Sequence, residues 1–80
     1  MKIPAIKKLV ETYTLDELMA AEAAIVDEEP ISIEVGGDDE GEQLTHVLAA
    51  VWILNDMEDN GTDFKTALRE YTKKVRVSIS

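Results

Sequence analysis

The 80-residue chain has no cysteine, one histidine, one tryptophan, one phenylalanine and two tyrosines. The missing cysteines exclude disulfides, cysteine-based zinc sites and thiol catalysis. A chain of this size buries only about 60% of the surface it exposes when unfolded, so its stability needs support beyond an average core. With no cross-links to supply it, that support is expected from self-association. Long hydrophobic runs are also missing. The nearest is Leu44 to Leu54, 11 residues interrupted by Thr45 and His46, against about 20 for a membrane span. Residues 1–8 are basic but lack the continuous apolar stretch of a secretory signal. The expectation is a single small cytoplasmic domain over residues 1–80, without membrane contact.

Positive charge is missing from the middle of the chain. Residues 14–60 hold 14 acidic side chains and no lysine or arginine, whereas residues 1–13 carry +2 and residues 61–80 carry +3, within a net charge of -9. One reading folds the basic ends beside the acidic middle, so that the charges offset one another. The other makes Asp38, Asp39, Glu40 and Glu42 a docking face for a basic protein partner. Nucleic acid is not expected as a ligand, because a predominantly anionic surface repels phosphates.

Periodicity predicts a mainly α fold: four short helices around a central apolar helix at about 39–60, with at most a two-stranded ribbon pairing 31–35 with 75–79. Ile3, Ile6, Leu9, Val10 and Tyr13 recur at helical spacing behind Pro4, giving a first helix over roughly 4–12. Thr14 and Glu17 form a capping box that starts the second helix at Leu15, flanked by the staple pair Tyr13 and Leu18. Pro30 closes that region. Ile31, Ile33 and Val35 alternate with polar residues, as do Val75, Val77 and Ile79, which is the pattern of half-buried strands.

The third helix follows Gly36-Gly37, with acids crowding its start where the helix dipole favours them, and ends at Asn60-Gly61. It carries two apolar faces, one of Leu44, Val47, Leu48, Val51 and Leu54, the other of Ala49, Ala50, Trp52, Ile53 and Met57. A surface helix needs one. The expectation is a homo-oligomer whose interface contains Trp52, Ile53 and Met57. Thr62 is expected to cap the fourth helix, with Phe64, Ala67, Leu68, Tyr71 and Val75 inside and Lys65, Arg69, Lys73 and Lys74 outside.

Chemistry-bearing groups are few. Glu42 and His46 are four residues apart on a helix, a spacing that can hold a metal or let a carboxylate orient an imidazole. A complete metal site needs at least one more ligand, for which Asp38 and Asp39 are the candidates, and nothing in the spacing requires it. His46 is therefore read as structural, and neither a metal nor a cofactor is expected. No serine lies in a nucleophile-elbow context, and no catalytic residue is assigned. The acids after Gly36-Gly37 do not follow the alternate-ligand pattern of a calcium loop, and no lysine follows as in a phosphate loop.

The run Gly41-Glu42-Gln43-Leu44-Thr45-His46-Val47-Leu48-Ala49-Ala50-Val51-Trp52-Ile53-Leu54, with Gly61 to Tyr71 and the opening Met1 to Tyr13, resembles a small family of short acidic bacterial proteins of unknown function. That resemblance implies no activity, cofactor or site residue. The functional expectation rests on the residues: a non-enzymatic interaction or regulatory protein that self-associates through the central helix. The alternatives are a metal-binding or metal-dependent site at Glu42 and His46, and an acidic mimic of nucleic acid.

Overall fold

Pro4 lies in the first turn of α1 (Ile3–Thr12), where its missing amide hydrogen costs no helical bond. In the computed structural model, residues 2–31, 33, 35, 36 and 39–79 are described, with side chains as far as Lys74. The other helices are α2 (Leu15–Val26), α3 (Glu40–Asn60) and α4 (Phe64–Ile79). The central position expected for α3 is observed: α1, α2 and α4 each pack along it.

Several helix ends have local causes. The capping box is formed as read: the Glu17 amide donates to Thr14 Oγ1 at 3.2 Å and the Thr14 amide donates to Glu17 Oε1 at 2.9 Å. Such a cap stabilises a helix by about 1 kcal/mol. Asp39 caps α3 by accepting from the Glu42 amide at 2.7 Å. At the other end Gly61 adopts a left-handed φ of 65°, which a residue with a Cβ rarely takes.

The cap of α4 differs from the expectation. Asp63 accepts from the Thr66 amide at 2.9 Å, while Thr62 donates its hydroxyl to Asp56 at the end of α3. Hydrogen bonds from Thr66, its side chain first and its amide second, hold the Asp63 carboxyl below its ordinary 3.8. A depressed carboxylate contributes stability above its unfolded-state value, and that contribution is lost as pH falls through the folded-state value. The stability difference between wild type and Asp63→Asn, which keeps a capping oxygen but cannot titrate, should therefore narrow on acidification below about pH 4. Denaturant titrations across that range check this, and a pH-independent difference would refute it.

The core joins all four helices. Ile6, Leu9 and Val10 come from α1, Leu18, Ala21 and Ile25 from α2, Val47, Ala49, Ala50 and Ile53 from α3, and Ala67 from α4. Alanines at 21, 49, 50 and 67 leave no long side chain between the axes, so helices can approach closely. Trp52 and Tyr71 stack obliquely between α3 and α4, with ring centroids 5.6 Å apart, and the Lys74 ammonium lies 5.6 Å from the indole centre.

The ribbon is not formed. Residues 75–79 continue α4 as helix, and no strand occurs among the described residues. Adding residues to an existing helix costs little, whereas a two-stranded ribbon gains few hydrogen bonds. Ser32 and Glu34 lie outside the described residues. Ile31, Ile33 and Val35 nevertheless pack against the core, so the alternation marked an inward-facing edge of the 27–39 connection without marking a strand.

Candidate functional site

The most constrained polar group in the described structure is His46. Helical spacing on α3 points it into the interior with Ala49, Ala50 and Ile53, and it is fully buried. A buried imidazole needs partners for both nitrogens. Nε2 accepts a hydrogen bond from the Lys2 backbone amide at 2.9 Å, and Nδ1 is bonded to the Gly36 carbonyl oxygen. A carbonyl can only accept and an amide N–H can only donate. The ring is therefore neutral with its proton on Nδ1.

This one side chain joins three parts of the fold: the residue preceding α1, the 27–39 connection and α3. The connection approaches α1 closely, since a Cβ built on Gly36 would lie 3.1 Å from that of Ala5. Lys2 accepts from the amides of Ala5 and Ile6, at 3.1 and 3.2 Å, so the same residue that binds His46 also anchors the first turn of α1. Nothing in the sequence relates position 2 to position 46.

Glu42 lies one turn before His46 on α3. Its Oε1 is buried and has no hydrogen-bond partner, although the Lys2 ammonium is 3.7 Å away and His46 Nε2 is 3.9 Å away. The Lys2 side chain is 59% exposed, and an ion pair in such a setting contributes at most about 1 kcal/mol. As a metal site the arrangement is incomplete. Among the described residues no three histidine or acidic side chains cluster to hold an ion, and a cation on Nε2 would have to displace the Lys2 amide.

The acids read as a docking face are separated by the fold. The Asp39 carboxylate is engaged at the α3 cap, Glu42 turns toward Lys2 and His46, and Asp38 lies outside the described residues. Glu40 stands apart, on the rim of a cleft of about 300 Å³ that Ile25, Glu28, Glu29, Pro30, Ile31 and Gln43 complete. Glu28 enters that rim with a left-handed φ of 59°.

The packing of α3 cuts across the two faces assigned from the sequence: Val47 of one and Ala49, Ala50 and Ile53 of the other are all fully buried. Ile53, expected at an interface, is fully buried inside the chain beside Ala49 and Ala50, so it has no surface left for a partner. Met57 is half-buried against the same core, and Trp52 is half-buried against Tyr71. Among the described residues the most open line along the middle of α3 runs through Leu48 and Asn55, with Leu44 and Val51 at its edges half-buried against the core. Leu48 is 41% exposed there, although it was assigned to the opposite, inner group. Spacing shows that two apolar faces exist, but packing decides which of them turns inward.

Over residues 1–80 the chain matches a family of unknown function (DUF6952), and it belongs to that family. No curated protein and no solved structure matches it. No helix among the described residues is long and apolar enough to cross a membrane.

Proposed function

We propose that this is a small non-enzymatic interaction protein that self-associates through the outer side of α3. One observation carries the reading: Leu48, 41% exposed, sits mid-helix on the side of α3 that α1, α2 and α4 leave open. Leu44 and Val51 flank it at i-4 and i+3 and are half-buried, which makes a continuous apolar stripe with part of Trp52 at its edge.

A second copy of the chain is the occupant that fits. Residues 43–55 contain no formally charged side chain, in a protein that carries -9 overall. Two such stripes can therefore bury one another without desolvating a charge. The chain exposes 5269 Å², against roughly 4,800 Å² from the size scaling for a compact monomer of its mass. A stable interface covers about 800 Å² per partner, roughly a seventh of what is open here.

Because each copy is strongly acidic, the association should tighten as salt screens the repulsion over a Debye length of about 8 Å at physiological ionic strength. Docking of a basic partner on the acids would respond in the opposite direction. Leu48→Glu should give a folded monomer, its helix content unchanged because the position is open to solvent. Sedimentation equilibrium at low and high salt, on wild type and variant, tests this. A wild type that stays monomeric at several hundred micromolar in both conditions removes the proposal.

A further inference from the structure

The buried Glu42 Oε1 has no hydrogen-bond donor, yet it lies 3.9 Å from a ring nitrogen that is itself occupied as an acceptor. We propose that His46 is a proton-operated latch, which on acidification releases the Lys2 amide and transfers its Nε2 side to Glu42.

The exchange follows from hydrogen-bond polarity. In the neutral ring, Nε2 offers a lone pair to the Lys2 N–H while Nδ1–H is held by Gly36. A proton taken from solvent onto that lone pair makes Nε2 a donor. Two N–H groups then face each other, and the Lys2 bond cannot persist. The nearest acceptor for the new N–H is Glu42 Oε1, on the same face of α3 one turn earlier. Contraction from 3.9 Å to a charge-assisted bond of about 2.8 Å needs only side-chain torsions of Glu42. The one covalent change is the new Nε2–H bond, its proton coming from hydronium, which is left as water: the imidazole becomes imidazolium beside a carboxylate.

The charged groups that face the ring among the described residues are Glu42 from α3 and the Lys2 ammonium from the α1 side, 3.7 Å from the same oxygen. Among the described residues, α2 and α4 bring no ion pair to it. The connection contributes the uncharged Gly36 carbonyl, and Asp39 remains bound to the Glu42 amide.

The release is one-sided. The Gly36 bond uses Nδ1–H, which both protonation states keep, so the connection stays attached to α3. Lys2 loses its tether, and with it the anchor for the Ala5 and Ile6 amides. The latch therefore frees the start of α1 while leaving the rest of the core closed.

Hydrogen exchange on the full-length ¹⁵N-labelled protein, expressed as protection factors at about pH 7.5 and about pH 5 with the His46 ring nitrogens followed in the same samples, tests this. The expected result is a drop of about tenfold or more in protection at Ile6 with Ala50 unchanged, as the His46 Nε2 resonance moves to its protonated position. In His46→Gln, whose side-chain oxygen can still accept from Lys2, the drop should vanish. In Glu42→Gln, which leaves the imidazolium without a carboxylate, Ala50 should lose protection together with Ile6. Equal protection at the two pH values in wild type would overturn the latch. So would an equal drop in His46→Gln, or an Nε2 that gains a proton while Ile6 stays protected. Should His46→Gln fail to fold, the imidazole nitrogen shifts of wild type decide alone, by whether they move together with Ile6.

Discussion

Ile53→Asp should abolish the cooperative thermal transition. The side chain is fully buried on the central helix, beside Ala49 and Ala50 and within the cluster that Leu18, Ile6 and Ala67 complete from the other three helices. A carboxylate placed there has no cation to pair with and costs several kcal/mol in desolvation. The lost isoleucine adds its own burial and cavity terms, about 2–5 kcal/mol for truncation to alanine. An 80-residue domain has roughly 4–12 kcal/mol in total, so the two losses together exceed or match the whole. Circular dichroism should show no sigmoidal melt, and Trp52 emission should resemble that of the unfolded chain. Ile53→Val is the control, at about 1 kcal/mol. A variant Ile53→Asp that melts cooperatively within about 5 °C of wild type would mean that the residue faces outward, as the sequence alone suggested.

That contrast marks how far the sequence could be read. The start of α2 and the end of α3 were legible because capping is local: Thr14 and Glu17 are three residues apart and need no tertiary context, and Gly61 ends α3 by its own conformational freedom. The centrality of α3 was legible too, since a helix apolar on both sides must be covered on more than one. Which side is covered was not. Val47 is fully buried and Leu48, its neighbour in the same assigned stripe, is open to solvent. The spacing at 44, 47, 48, 51 and 54 spans both the interior edge and the exposed edge of the helix.

The chain end failed for a different reason. Val75, Val77 and Ile79 alternate as a strand would, but Tyr71, Val75 and Ile79 also fall at helical spacing, continuing the Phe64, Leu68 and Tyr71 series of α4. Five residues cannot separate the two periods. The Lys2, Gly36 and His46 junction was illegible for a third reason: its bonds use backbone atoms of residues 2 and 36, which carry no residue-type signal. Only the histidine could be flagged, and its visible companion in sequence, Glu42, lies 3.9 Å from Nε2 without a hydrogen bond to it.

The junction's contribution to stability is measurable through His46→Leu. Leucine is similar in bulk and apolar, so it fills the space beside Ala49 and Ile53 but neither donates to Gly36 nor accepts from Lys2. A buried donor or acceptor left without a partner costs about 1–3 kcal/mol. Both backbone residues are exposed as whole residues, and water reaching them reduces each penalty toward the lower end, for a loss of about 2 kcal/mol in all. At about 4–8 °C per kcal/mol for a domain of this size, the melting temperature should fall by roughly 10 °C. His46→Ala should fall further, because a cavity of most of an imidazole is added. The distribution of the damage is the sharper test. His46→Asn places an amide near Nδ1 and should restore protection to the 27–39 connection, whereas His46→Gln reaches the Nε2 position and should restore it at Ile6, whose amide rests on the Lys2 carbonyl. Buried bulk alone would make leucine at least as stable as either amide, with protection at Ile6 and in the connection changing together. If the ring's two hydrogen bonds act separately, each amide variant recovers only the segment on its own side of α3.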